Sequence, residues 1–215
     1  MASSIRQFWQ KLDGNVHPDD APVLATHRHS FNLDYPPPAF IGDIDNAPVV
    51  ILFANGGFDA AVTPTEFPYE EDRREYLDWL HGHRKEPPKR LAPYYLQNSV
   101  FPWVKNGTAV ILNAIAYRSP KLSQEPENQN VAQLLPSTRL HREWLMNEVL
   151  LDARQNRRFI IVHRPAMWKL DRTGFASSMN VAFSPNPASP HLSMEVRQRV
   201  AKWLTTIQPR RAGGC

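Results

Sequence analysis

The chain has 215 residues, 42% of them hydrophobic, enough to bury a substantial core in one domain. A formal net charge of +4 and a pI near 9.3 suit a polyanionic partner such as nucleic acid without requiring one. The single cysteine, Cys215, excludes an internal disulfide, a cysteine-ligated zinc site and an iron–sulfur cluster, and a mean hydropathy of -0.47 without a long apolar run excludes a membrane-spanning helix.

The N-terminal stretch MASSIRQFWQKL lacks the apolar segment of a signal peptide, so a cytoplasmic protein is expected. Residues 5–12 predict a short amphipathic helix with Ile5, Phe8, Trp9 and Leu12 on one side. From Gly14 to Asn46, prolines 18, 22, 36, 37 and 38 predict an irregular segment that wraps the domain, making 1–46 a wrapping N-terminal region. His27 and His29 lie here without a third ligand at metal-binding spacing, and no metal or other cofactor is expected.

The run Val49–Ala54, bounded by Pro48 and by Gly56-Gly57, has the length and flanks of a buried central strand. The two glycines predict a turn after it, with Asn55 and Asp59 beside the site that such a turn carries in open α/β sheets. A helix over 69–83 opens on Glu70-Glu71-Asp72, as the helix dipole favours. A second strand, Thr108–Leu112, ends at Asn113, whose amide either reads a base edge or terminates the strand against local backbone. Residues 121–136 predict a surface loop, 138–154 a helix capped by Ser137, 158–162 and 179–183 two further strands, and 194–207 a last helix capped by Ser193. Residues 208–215 are expected to form a flexible tail. This alternation predicts a single-domain, three-layer α/β/α fold around a four-stranded, largely parallel sheet.

Four strand ends therefore carry polar groups, in VVILFANGGF, TAVILNAIAYRS, His163-Arg164 and SPNPASPHLS. These segments resemble the motifs of the uracil-DNA glycosylase superfamily. Asn55-Gly56-Gly57 is similar to the NPG form of its first motif, and the middle segment to the family's apolar strand ending in the asparagine that reads the flipped pyrimidine. The resemblance implies a monofunctional DNA glycosylase acting on uracil or a 5-modified pyrimidine, hydroxymethylated or glucosylated, in repair or in defence against phages with modified DNA.

By the same resemblance Asn113 would read the base, Asn55 would orient water and Asp59 would supply a carboxylate. Gly57 would stand where a bulky gate excludes 5-substituents, and Phe58 would stack on the extruded base. The family's late HPSPLS motif has Asn186 in place of its histidine, so the group that stabilises the departing base is Asn186, His163 or His191. His191-Leu192 and Ser193 would meet the DNA stack, with Arg118 and Arg164 among the cations that meet phosphate. The implied partner is single- or double-stranded DNA, bound by a monomer. The competing reading is a non-catalytic module of the same fold that binds modified or damaged DNA; an α/β hydrolase lacks its G-x-S-x-G nucleophile here.

Overall fold

The computed structural model describes residues 3–175, 180–185 and 191–211. Its centre is a mixed five-stranded sheet with helices on both sides. The strands are β1 (Phe40–Gly42), β2 (Val49–Gly57), β3 (Ala109–Ser119), β4 (Phe159–Val162) and β5 (Val181–Phe183), in the spatial order β1-β3-β2-β4-β5. β3, β2, β4 and β5 run parallel, while β1 pairs antiparallel with β3 through Phe40↔Leu112 and Gly42↔Val110. The expected four parallel strands are present, and the fifth corrects the expectation: residues 14–46 are not wholly irregular but supply an edge strand.

The helices are α1 (Ser4–Trp9), α2 (Ala21–Thr26), α3 (Thr63–Glu66), α4 (Glu70–His81), α5 (Pro93–Leu96), α6 (Phe101–Lys105), α7 (Pro126–Leu134), α8 (Pro136–Trp144), α9 (Leu150–Arg154) and α10 (Met194–Arg211). α4 closes on Gly82 at φ 84°, the left-handed residue that ends many helices. The expected surface loop before Ser137 holds α7. The helix expected over 138–154 is interrupted by a π turn at Leu145–Val149, which puts one extra residue into the helical path between α8 and α9.

The N-terminal segment is tied down by buried polar groups as well as apolar packing. Ile5, Trp9 and Leu12 are buried, and the Trp9 indole donates to His141 Nε2 at 2.8 Å. Asp20 is buried; its carboxylate accepts from the Tyr117 hydroxyl at 2.9 Å and from the Ser137 N–H at 2.9 Å. It thus caps α8 from a distant part of the chain, which is why Ser137 is not the cap itself.

The central strands run further than the apolar runs that announce them. β2 continues through Asn55 and Gly56 to Gly57, and β3 through Asn113 to Ser119, where Gly57 pairs with Ser119. Between the pairs Asn55↔Ile115 and Gly57↔Ser119 two residues of β2 span four of β3, a bulge that re-aims the strand ends. Gly56-Gly57 is therefore strand and not the expected turn, and Asn113 lies inside β3 rather than at its end.

Gly56 is required by close approach: a Cβ there would lie 2.2 Å from Pro38 Cγ, whereas one on Gly57 would meet nothing within 4 Å. Gly56→Ala is expected to cost about 1–3 kcal/mol by overpacking, and Gly57→Ala to stay within about 0.5 kcal/mol of wild type. Urea unfolding midpoints of the two variants check this.

Candidate functional site

The parallel strands change winding direction at β2: the chain leaves it for β3 on one side and later returns to β4 on the other. The crevice beyond the carboxyl ends of adjacent strands at such a reversal is where open α/β sheets bind ligands. Strand alternation decides which side chains face it. Phe53 pairs with Asn113, Asn55 with Ile115, and His163, whose N–H donates to Leu52 O at 3.0 Å, follows β4 directly. Phe53 lies between Asn113 and His163, and the His163 ring stands edge-on to it with centroids 4.6 Å apart. Tyr94 of α5 covers Phe53 with a second edge contact at 5.8 Å and remains 46% exposed.

Asn113 has no solvent exposure. Its amide nitrogen donates to Pro38 O and to the Tyr95 hydroxyl, the latter at 3.1 Å, and its Oδ1 has no hydrogen-bond partner. A backbone carbonyl only accepts, so Pro38 fixes which end of the amide is nitrogen. The Asn113 backbone carbonyl accepts from His141 Nδ1 at 2.7 Å, and because His141 Nε2 accepts from Trp9, this histidine is the neutral Nδ1–H tautomer. Sequence reasoning names neither Tyr95 nor His141, and no local pattern marks them; they reach Asn113 from α5 and α8.

His163 is 2% exposed and both its ring nitrogens lack partners. Burial, reinforced by the neighbouring Arg164 cation, pulls its pKa down to about 4. It is therefore neutral near pH 7, with one N–H and one lone pair to offer. Three of the eight buried side-chain polar atoms without a partner among the described residues flank this one aromatic ring. Arg164 is half-buried at the rim beside Tyr94, whose hydroxyl pKa burial raises. Among the described residues no group of three or more His, Cys, Asp or Glu could hold a metal ion.

The other expected site residues are arranged differently. Asn55 shares the Phe53 face; its amide nitrogen donates to Gly56 O at 2.9 Å and to Ser119 Oγ at 3.2 Å. Gly57, expected in place of a gate, is exposed, and a Cβ there would meet nothing within 4 Å. Phe58, expected to stack on a base, is half-buried just beyond β2 with its N–H on Ser119 O at 3.2 Å, while Phe53 is the aromatic ring beside Asn113 and His163. The exposed Asp59 carboxylate accepts from Ala61 N at 2.8 Å and Val62 N at 3.0 Å, holding the turn into α3.

Arg118 does not face a phosphate. It is 1% exposed, forms a two-pronged ion pair with Glu66 at 3.0 and 3.1 Å, and donates to Pro36 O at 3.2 Å. Its partners are all internal, so the expected DNA contact is corrected to a buried brace. Leu192 is 6% exposed and belongs to the core, which corrects its expected role as a wedge in the base stack. His191 is exposed, its Nδ1 accepting from Ser99 N at 3.4 Å, and Ser193 receives the Val196 N–H at 3.3 Å as the cap of α10. Asn186 lies outside the described residues.

Two buried neutral histidines give a signed pH dependence. Burial depresses the pKa of both His141 and His163 to about 4 from an unfolded value of 6.5. Between those values the unfolded chain binds the extra protons, so stability falls as pH drops through 6.5 and levels off below 4. Each histidine is expected to withdraw ~3 kcal/mol by pH 4. Denaturant titrations from pH 7 to pH 4 check this, with a flatter profile expected for His163→Phe.

No protein-family model, curated protein or solved structure matches the chain.

Proposed function

We propose that this protein is a monofunctional DNA glycosylase that draws a pyrimidine nucleotide out of DNA and hydrolyses its N-glycosidic bond. The observation that carries this reading is the pair of buried, unpartnered groups, Asn113 Oδ1 and the His163 imidazole, on either side of the Phe53 ring. A planar heterocycle with hydrogen-bonding edges is the ligand that such a site satisfies: the aromatic wall takes its face and the polar groups take its rim. The resemblance of the middle segment to the base-reading strand of the uracil-DNA glycosylase superfamily points the same way.

In the proposed reaction the bond between the sugar C1′ and the base nitrogen breaks, its electron pair leaving with the base. A water oxygen bonds to C1′, and the proton it loses ends on the departing base anion, so that a neutral base and an abasic site are formed. Asn55, whose amide nitrogen is held by Gly56 and Ser119, keeps its carbonyl oxygen to hold that water. The neutral His163 donates its N–H to the negative charge growing on the base, a stabilisation that strengthens toward the transition state. Arg164 at the rim places a cation where a phosphate of the extruded nucleotide would pass.

A second reading, a module that binds such a base without cutting, is favoured by Asp59. Its carboxylate is engaged by Ala61 and Val62 and would have to leave them to activate water.

The deciding experiment is base release from single- and double-stranded oligonucleotides carrying uracil, 5-hydroxymethyluracil, 5-hydroxymethylcytosine and glucosylated 5-hydroxymethylcytosine, read as alkali-labile breaks. Release of one of these bases is expected, with His163→Ala lowering the rate by about 100-fold or more, as loss of a transition-state donor does, and Asn113→Ala, which removes the base reader, and Asn55→Ala, which removes the water holder, by a similar factor. Asp59→Ala is expected to lose less than about tenfold if the carboxylate only holds the turn. DNA binding without release of any base would replace the glycosylase by the binding module.

A further inference from the structure

Counting the donors and acceptors that the site leaves over carries the proposal to a class of base. Asn113 has two amide hydrogens, and both are used, on Pro38 O and on the Tyr95 hydroxyl. What it presents is Oδ1, an acceptor only. An asparagine free at both ends reads a 4-oxo or a 4-amino pyrimidine equally well by turning its amide, and this one is prevented from turning by a carbonyl on its nitrogen. His163 adds one N–H and one lone pair, since burial beside Arg164 keeps the ring neutral. The remainder is the Asn113 acceptor on one side of Phe53 and, on the other, an imidazole that can turn one N–H or one lone pair to a ligand, on strands about 10 Å apart at the backbone.

We infer that the pocket is built for a 4-amino pyrimidine, a cytosine-type base, in preference to a uracil-type base, and that Pro38 and Tyr95 together set this choice through Asn113. The inference rests on the reading of this pocket as a base site. A cytosine-type base can give one N–H of its exocyclic nitrogen to Asn113 Oδ1 while its N3 accepts the His163 N–H. In the same pose a uracil-type base sets its 4-oxo group against Asn113 Oδ1, acceptor against acceptor, and a buried polar group left without a partner is what lets enzymes reject a close analogue. Tyr95 is a positioning residue in this scheme: it is 2% exposed and acts by occupying the second amide hydrogen of Asn113.

The test separates recognition from chemistry. Oligonucleotides carrying 5-hydroxymethylcytosine or 5-hydroxymethyluracil share the 5-substituent and differ at C4 and N3. On a 2′-fluorinated sugar, which resists hydrolysis, their affinities for the full-length protein are compared directly. The 4-amino base is expected to bind about 5- to 100-fold more tightly, the range that one stranded buried acceptor spans. Tyr95→Phe keeps the ring and returns one amide hydrogen to Asn113, so it is expected to improve binding of the 4-oxo base and shrink the ratio at least about threefold; a merely structural loss would weaken both bases alike. Equal affinity of the wild type for the two bases, including no affinity for either, overturns the inference, as does tighter binding of the 4-oxo base. Base release from the matching unfluorinated oligonucleotides is scored separately: no release overturns the glycosylase reading and leaves the affinity ratio to decide this one.

Discussion

Three consecutive carbonyls on Pro36, Pro37 and Pro38 hold the site together. Pro36 O receives Arg118 Nε at 3.2 Å, Pro37 O receives the Tyr76 hydroxyl at 3.3 Å, and Pro38 O receives the Asn113 amide. A proline has an acceptor and no N–H, so a run of three can lie along a buried strand and take up its side-chain donors without bringing a donor of its own that needs burying. The Pro38 ring also fills the space against Gly56, which makes that glycine obligatory. The orientation of Asn113, the need for glycine at position 56 and the burial of Arg118 all follow from this segment.

Charge is distributed in keeping with that arrangement. The one strongly buried cation near the strand ends, Arg118, is matched by Glu66 in a two-pronged pair and lies within 5.6 Å of the Phe67 ring centroid, so its charge is compensated on the spot. At the Phe53 crevice the buried groups are neutral: an amide, an imidazole whose pKa burial lowers, and phenols whose pKa values burial raises. A low-dielectric wall of neutral dipoles is costly when left unpaired and discriminating when a ligand pairs it. That is why unsatisfied atoms here carry more information about a ligand than the formal charges do.

Much of the architecture was legible in the order of apolar runs. α4 and α10 declare themselves by helical periodicity and acidic or serine starts, and β2, β3 and β4 by short buried runs. β1 was not legible, because three residues between a proline run and an Asp-rich turn have no periodicity of their own; its pairing with β3 is a tertiary event. The ends of β2 and β3 were read short for the same reason: Asn55, Gly56 and Gly57 are poor strand formers, held extended by β3 and by the Pro38 ring. Asn113 and His163 could be picked out as polar residues after apolar runs, but Tyr95, His141 and Pro38, which decide what Asn113 offers, are joined to it only by folding. Arg118 and Leu192 were misread because composition cannot distinguish a braced arginine or a core leucine from exposed ones.

The cap on α8 has a consequence for the order in which the molecule can be made. Asp20 and Trp9 leave the ribosome long before Tyr117, Ser137 and His141, their partners in the finished fold. Until those residues emerge, the N-terminal segment has no surface to dock on, and β1 has no β3 to join. Contacts so distant in sequence are slow to form and leave the nascent chain exposed to wrong associations. The same ties that steady Asn113 therefore make its environment a late product of synthesis: the strand that carries it can exist before the backbone hydrogen bond from His141 that secures it, and this environment matures only when the N-terminal segment has met the middle of the chain.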